Sequence, residues 1–262
     1  MPENVAMALP LLVATRYVLP LREGGSLPAI VDTDGSGEYV VKFKGAGQGP
    51  KALVAEVIAA NLASALGLPV PAPAIVELAE GFGEAEPDPE IQDLLRGSVG
   101  KNFGLAYLPG ALGYDPVADA SMIDADLAAA IVWFDALITN VDRGPRNPNL
   151  LAWDGKVWLI DHGVALYFQY LEVDWQTRAG DAFPQIEQHI LLGRAGDIRA
   201  AHERLRPLLM PDVVTAAVAD VPDEWLDPSP ALMRERYVRY LEARLDGRLD
   251  WVEEAERARR SR

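Results

Sequence analysis

The stretch FDALITNVDRGPRNPNLLAWDGKVWLIDHGVAL, residues 134–166, decides which fold this sequence predicts. It begins with the apolar end of a helical pattern and continues into a polar loop, residues 141–149. Two short apolar segments then flank Asp154-Gly155, a dipeptide typical of a β-hairpin turn. Asp161 follows the second segment directly. A carboxylate after a buried strand needs a cation, a metal ion or a hydrogen-bond donor, so this position predicts a functional or paired group.

The polar loop contains side chains that suit phosphoryl transfer. This reaction needs a cation on the nucleotide phosphates, oxygen ligands for Mg²⁺ and a carboxylate near the attacking hydroxyl. Asp142 and Asn147 lie five residues apart on the loop, and the hairpin delivers Asp161 to the same region. Asn149 is a competing metal ligand, because only the spacing favours Asn147. Asp and Asn are also common turn residues, so the loop residues alone are explained equally well by turn structure.

The segment of residues 10–44 reads as β-structure. Two strands, 27–31 and 38–44, surround the turn sequence Asp34-Gly35-Ser36-Gly37. In the second of these strands Lys42 and Lys44 lie on the face opposite the apolar residues. A solvated sheet face explains Lys42, and so does a lysine that binds phosphate above a cleft.

Glu56 favours the second explanation of Lys42. It is the only charged residue between Lys51 and Glu77, in a helix that Pro50 begins and Gly67 follows. It falls on the apolar stripe of this helix rather than opposite to it. A carboxylate on a buried stripe usually has a cationic partner, and Lys42 is the nearest candidate in sequence. We therefore predict a Lys42–Glu56 ion pair, an arrangement that positions nucleotide phosphates in kinases.

The order of these patterns predicts an α+β fold with two lobes. Residues 1–110 are rich in strands and would form an N-terminal nucleotide-binding lobe. Residues 111–262 would form a mostly helical C-terminal lobe that contains the polar loop and the hairpin. A cleft between such lobes is a natural ligand site.

Composition limits the possible partners. The chain has 262 residues, a formal net charge of −15 and no cysteine. Such a charge disfavours nucleic acid and anionic membranes, while a local lysine and a divalent metal still allow a nucleotide to bind. The lack of cysteine excludes disulfides and thiolate sites, and a cytoplasmic location is the expectation. The three histidines are not spaced as a zinc pair.

In these residues and their order, the chain resembles the HipA-like kinases and, more distantly, the phosphatidylinositol kinases of the protein-kinase-like fold. The resemblance spans about residues 20–170 and rests on the segments YVVKF, LVAEVIAANLASALGLPVP, FDALITNVDRGPRNPNLL and VWLIDHG. It implies a kinase that uses ATP and Mg²⁺. The implied acceptor is a protein Ser/Thr hydroxyl, and a small-molecule hydroxyl is the alternative.

The resemblance also implies a role for each matching residue. Lys42 would contact the nucleotide phosphates, Glu56 would orient Lys42, and Asp142 would be the catalytic carboxylate. Asn147 and Asp161 would hold Mg²⁺. The remaining implied positions are the phosphate-covering loop Gly24-Gly25-Ser26, for which Gly45–Gly49 is an alternative, and the adenine-facing hinge Tyr107-Leu108.

Two other interpretations remain open at this point. A non-catalytic nucleotide-binding module would keep the fold without phosphoryl transfer. A purely structural α+β domain would treat the ordered set of polar residues as coincidence. The phosphoacceptor, any regulatory partner and the oligomeric state are not predicted by the sequence.

Overall fold

The protein has a mixed α+β fold, as predicted, in a computed structural model that describes residues 8–21, 27–35, 37–171 and 173–262. The strands in this part of the chain are β1 (Leu11–Pro20), β2 (Ala29–Thr33), β3 (Gly37–Lys42), β4 (Pro73–Leu78), β5 (Gly100–Ala106), β6 (Leu112–Gly113), β7 (Leu150–Trp153) and β8 (Lys156–Leu159). The α-helices are α1 (Gly49–Ala65), α2 (Pro89–Arg96), α3 (Ala125–Leu137), α4 (Trp175–Arg178), α5 (Ile198–Leu205), α6 (Pro211–Ala219), α7 (Pro230–Asp246) and α8 (Asp250–Arg260).

The first five strands close into a barrel in the order β1-β2-β3-β5-β4. Neighbouring strands are antiparallel except β1 and β4, which run parallel. Alternate residues of a strand face opposite sides of a sheet. In β4, Val76 therefore packs inside the barrel with Val41, while Ile75 packs with α1. Closure leaves the barrel without a free edge.

Helix α1 lies between the barrel and the helical part of the chain. It contacts β4 and β5 on one side and α6 on the other. The sequence predicted one apolar stripe on this helix, whereas the structure buries residues on all of its faces, including Glu56. A helix that is apolar all round is buried all round, and only a paired charge is tolerated there.

Helix α3 leads into the polar loop. Asp124 caps its N-terminus by accepting a hydrogen bond from the Leu127 amide. The helix is buried along most of its length and ends at Leu137. After the loop, β7 and β8 form the predicted hairpin, and β6 extends it to three strands. The sequence did not predict β6, because two residues give no periodicity.

Two further elements differ from the sequence prediction. Helix α2, with Asp88 as its N-cap, was not predicted from the sequence. At the end of the predicted helical part, α7 and α8 are separate helices that divide near Gly247. A Cβ atom at Gly247 would lie 2.4 Å from the Ala243 carbonyl oxygen, so the chain turns where only glycine fits. None of the described helices is both long and apolar enough to cross a membrane.

Arg244 on α7 fixes the end of α3. Its side chain is buried and donates to the carbonyl oxygens of Leu137 and Ala136, both at 2.7 Å, and of Ala179 at 2.6 Å. The last carbonyls of a helix have no partner within the helix, so a cation there satisfies them and favours the helix dipole. Arg244 thus holds the point at which α3 enters the loop.

Replacing Arg244 with methionine should leave these carbonyls unsatisfied. We expect Arg244→Met to lower the free energy of unfolding by roughly 2–4 kcal/mol. Arg239→Met on the same helix is the control, because Arg239 is exposed and its ion pair is with Glu235, four residues earlier on the helix surface; its effect should stay within about 0.5 kcal/mol. Urea denaturation measures both, and equal stabilities of the two variants would contradict the capping role.

Candidate active site

Lys42 connects three elements at the end of strand β3. Its ammonium Nζ lies 2.5 Å from Glu56 Oε1 on α1 and also donates to Asp161 Oδ1, just after β8. The predicted Lys42–Glu56 ion pair is therefore confirmed. The contact with Asp161, 119 residues away in sequence, was not predicted. One cation thus brings together the predicted phosphate-binding lysine, its predicted partner and a predicted metal ligand.

Burial determines the charge balance of these three groups. The side chains of Lys42 and Glu56 are 12% and 1% exposed, whereas that of Asp161 is 38% exposed. Burial opposes the charge on Lys42, but the attraction of Glu56 and Asp161 outweighs it and raises the lysine pKa. Burial raises the pKa of Glu56 despite the opposing effect of Lys42. Burial would raise the pKa of Asp161, but Lys42 outweighs this effect and lowers it. The Asp161 carboxylate is therefore charged, and its partly exposed oxygens can act as metal ligands.

The segment after β8 passes close to Glu56. Asp161 has a left-handed backbone, with φ +56, which turns the chain at this point. A Cβ atom at Gly163 would lie 3.3 Å from Glu56 Oε1 and 3.5 Å from the Ala52 side chain. Glycine at this position therefore allows the close approach that brings Asp161 to Lys42.

Asp142 is held by amide groups of its own loop. Its Oδ2 atom accepts hydrogen bonds from the side-chain amides of Asn147 at 3.0 Å and Asn149 at 3.3 Å. Its backbone amide donates to Asn140 Oδ1 at 3.1 Å, and its carbonyl accepts from Asn149 Nδ2 at 3.0 Å. The side chain is only partly exposed. These contacts orient the predicted catalytic carboxylate.

The two candidate metal-binding asparagines have different surroundings. Asn147 is exposed, and its backbone forms a tight bridge with Gly144. Asn149 is buried and directly precedes β7. Its carbonyl accepts from the Ile160 amide at 3.1 Å, so Asn149 lies opposite the residue before Asp161. Both asparagines contact Asp142, and Asn149 is also hydrogen-bonded to Ile160, the residue before Asp161.

A buried ion pair lies beneath the loop. Asp135 on α3 and Arg143 in the loop are both fully buried, with Nε and Oδ2 2.5 Å apart. Arg143 also donates to the carbonyl oxygens of Asn149 and Ile160, and Asn140 donates to Asp135 at 2.9 Å. Burial disfavours the charge on Asp135, but Arg143 and His189 outweigh it and hold the carboxyl pKa well below its usual range. Arg143 thereby fixes the two segments that carry Asp142 and Asp161.

Two buried histidines complete this network in neutral form. Burial lowers the pKa of His162 to about 3, with Arg143 adding to the effect, and burial also lowers the pKa of His189. Arg143 can only donate, so His162 Nε2, 2.9 Å from Nη2, is the acceptor and the ring proton is on Nδ1. His189 accepts from the Leu191 amide through Nδ1, so its Nε2 donates to Asp135 at 2.8 Å.

The tautomer of His162 directs its proton toward Glu56. Nδ1 lies 3.9 Å from Glu56 Oε2, an oxygen that has no hydrogen-bond partner among the described residues. This separation is too long for a hydrogen bond, but it places the two buried groups side by side. His162 therefore lies between the Lys42–Glu56 pair and the Arg143–Asp135 pair.

The sequence did not predict a place in the site for Asp135, Arg143, His162 and His189. A signal for Asp135 was present, since it is the only charged residue of α3 beyond the first turn. This is the pattern that identified Glu56. Nothing comparable marks His162 or His189, because a histidine near an apolar segment is usually a core residue with satisfied hydrogen bonds.

The predicted nucleotide-contacting loops are only partly visible. Gly24, Gly25 and Ser26 lie outside the described residues. In the alternative loop, Gly45 has a packing role, because a Cβ atom there would meet Ser98 Oγ at 2.8 Å. At the predicted hinge, the Tyr107 amide donates to the Glu38 carbonyl at 2.9 Å, so this amide is engaged within the protein.

Comparison with known proteins identifies the family of the chain. The family model of the HipA-like kinases matches residues 17–247. The chain belongs to the HipA-like kinase family. The crystal structure of the Helicobacter pylori proinflammatory kinase CtkA has a similar fold, with a TM-score of 0.55 and 12% sequence identity over 96% of this chain and 98% of that chain. No curated protein sequence matches this HipA-like kinase significantly.

Family membership establishes a function of the kinase type for this HipA-like kinase and confirms the resemblance inferred from sequence. The match extends well beyond residues 20–170, the range that carried the resemblance in sequence, and covers most of the helical part. The structural likeness to CtkA shows a shared fold across almost the whole of both chains.

The neutral state of His162 predicts a pH-dependent contribution to stability. Its pKa is about 3 in the folded protein and about 6.5 in an unfolded chain. At a pH between these two values, the unfolded state therefore binds more protons than the folded state. Stability is therefore lost as pH falls from about 6.5. We expect His162→Gln to remove this dependence, so that its stability falls less steeply than that of the wild type by up to about 1.4 kcal/mol per pH unit.

Urea denaturation at several pH values between 7.5 and 5 measures the two slopes. His189 and His202 are present in both proteins, so their own lowered pKa values contribute equally to both. Parallel curves for wild type and variant would show that His162 is not buried in neutral form.

Proposed function

We propose that this HipA-like kinase is an ATP- and Mg²⁺-dependent phosphotransferase acting on a hydroxyl group, either a protein Ser/Thr or a small molecule. The observation that supports the proposal most strongly is the position of Lys42. It contacts Glu56 on α1 and Asp161 after β8, so a phosphate-binding cation lies beside a candidate metal ligand. Phosphoryl transfer depends mainly on positioning and charge stabilisation, and this arrangement can supply both.

The proposed nucleotide site lies between two lobes. Residues 1–110, with the barrel and α1, would be the nucleotide-binding lobe, and residues 111–262 the helical lobe. Adenine would contact the backbone of Tyr107-Leu108 through groups other than the Tyr107 amide, and Gly24-Gly25-Ser26 would cover the phosphates. Lys42 would bind phosphate oxygens while Glu56 keeps the lysine in place.

The residues around Asp161 fit Mg²⁺. This ion prefers oxygen ligands, keeps several waters and needs only one or two carboxylates. Asp161 supplies a charged, partly exposed carboxylate, and an asparagine supplies an amide oxygen. When bound, the ion would neutralise phosphate charge. The sequence spacing favours Asn147 as the metal ligand, whereas the backbone hydrogen bond between Asn149 and Ile160 favours Asn149. Measuring how much Mg²⁺ the variants Asn147→Ala and Asn149→Ser require distinguishes the two.

Asp142 is the proposed catalytic residue. Its Oδ2 atom is occupied by the amides of Asn147 and Asn149, so Oδ1 would align the acceptor hydroxyl. The hydroxyl oxygen forms a bond to the terminal phosphorus as the bond from that phosphorus to the ADP oxygen breaks. The hydroxyl proton passes to Asp142, and ADP leaves with the electron pair of the broken bond.

Conservative substitutions of the two aspartates test this assignment. We expect Asp142→Asn to leave Mg²⁺-ATP binding nearly intact while transfer falls by ~10²–10⁴-fold, the range for acid–base groups. Asp161→Asn should weaken Mg²⁺ affinity by roughly 10–100-fold and lower transfer with it. Asp154→Asn is the matched control, because Asp154 is exposed in the hairpin turn and its positive φ suits asparagine.

The measurements are nucleotide binding by fluorescence and slow ATP hydrolysis or autophosphorylation. If the wild type binds Mg²⁺-ATP and no variant changes a turnover signal above background, the protein is a non-catalytic nucleotide-binding module. If both variants lose binding equally, the division of roles between Asp142 and Asp161 is wrong.

A further inference from the structure

A cavity of about 580 Å³ opens beside Asp142. It is lined by the loop residues 140–147, by residues of the segment 185–189 and by Arg262. Its volume lies in the range of small-ligand pockets. Because Asp142 lines it, the cavity is where an acceptor hydroxyl would reach the proposed catalytic carboxylate.

The charge of this cavity is opposite to that of the whole protein. Asp142 is the one acidic side chain among its described lining residues, which also include Arg143, Arg146 and Arg262. Arg143 is buried and balanced by Asp135, and Arg262 donates to the Glu187 carbonyl. Arg146 is exposed and has no hydrogen-bond or ion-pair partner in the part of the chain that the structure describes. Arg146 is thus available to an external anion next to Asp142.

Local charge governs recognition at this position. The net charge of −15 repels anions at long range, but charges beyond about 8 Å are largely screened at physiological ionic strength. A guanidinium forms strong, directional hydrogen bonds with carboxylates and phosphates. An acceptor with an anionic group near its hydroxyl would therefore be held at Arg146.

A second, mostly apolar cavity adjoins the first. It has a volume of about 260 Å³ and shares Gln185 with the larger cavity. Phe168, Phe183 and Tyr240 contribute to its lining, and so does Leu171, which is 40% exposed. Its charged lining residues are Arg178, Asp181 and Arg244. Exposed apolar surface next to a polar site is typical of a binding surface. A small molecule in the first cavity would not use the second, whereas an extended peptide can contact both.

We propose that the acceptor is a protein segment in which a Ser or Thr has an acidic residue nearby and an apolar residue further along the chain. The acidic side chain binds Arg146, the hydroxyl faces Asp142, and the apolar side chain enters the cavity bordered by Leu171. This inference rests on the proposed phosphotransferase function and selects the protein acceptor over the small-molecule alternative.

Synthetic peptides test the role of Arg146. Three peptides have the same sequence, which contains one serine and, further along, one leucine. They differ only in the residues next to the serine, which are Asp in the first, Asn in the second and Lys in the third. The wild type with Mg²⁺-ATP should prefer the acidic peptide in kcat/KM by about 10-fold or more, the effect of one charge-assisted hydrogen bond. Arg146→Glu should remove or reverse the preference, mainly through a higher KM for the acidic peptide.

Arg239→Glu is the matched control for this variant. It changes the net charge by the same amount at an exposed position on α7, and it should keep the preference of the wild type. Leu171→Ser should weaken binding of the leucine peptide but not of a peptide with serine in its place. Leu232→Ser, at an exposed leucine on α7, is the control for that change.

Each contrary outcome has a distinct meaning. Transfer at equal rates to all three peptides, or an unchanged preference in Arg146→Glu, overturns the inference and leaves the phosphotransferase function in place. Hydrolysis of Mg²⁺-ATP without transfer to any peptide also overturns it, because the acceptor then belongs to another class. A wild type that neither hydrolyses nor transfers contradicts the proposed function itself.

Discussion

The carboxylate of Glu56 is the constraint on which the site depends. It lies on a helix that is buried on all sides, and an unpaired charge there would destabilise the fold by several kcal/mol, on the order of 3–5 for a broken buried pair. Lys42 removes that cost, and because the lysine also contacts Asp161, one cation fixes the end of β3, the middle of α1 and the end of β8. The need to neutralise one buried carboxylate thus assembles the proposed phosphate and metal sites.

A second buried carboxylate is neutralised by a cation beneath the loop. Asp135 is a lone carboxylate on the apolar helix α3, and Arg143 neutralises it. Arg143 then binds the carbonyl oxygens of Asn149 and Ile160, which fixes the loop against the hairpin. Neutral His162 lies between the two ion pairs without adding charge. Chemically active side chains are most precise when their supporting groups are rigidly packed, and these two pairs provide that support for Asp142 and Asp161.

Sequence patterns predicted the elements that depend on local signals. Strand alternation, the Asp154-Gly155 turn and the lone charge of Glu56 were sufficient to predict β3, the hairpin and the Lys42–Glu56 pair. The contact between Lys42 and Asp161 joins residues 119 positions apart and has no local signal. The tautomers of His162 and His189 likewise depend on neighbours that only the tertiary fold supplies. Asp135 carries the same local signal as Glu56, a lone charge on an apolar helix, so its place in the network was predictable from sequence.

Lys42 and Asp161 are proposed to form one site for a nucleotide with its metal. Calorimetric titration of the wild type with ATP, once with excess Mg²⁺ and once with a chelator, tests this proposal. Lys42 already shares its charge with two carboxylates, so a divalent ion on Asp161 should free the lysine for phosphate and offset the local negative charge. ATP should therefore bind at least about tenfold more tightly with Mg²⁺, a difference of about 1.4 kcal/mol. Equal affinities in the two titrations would contradict it.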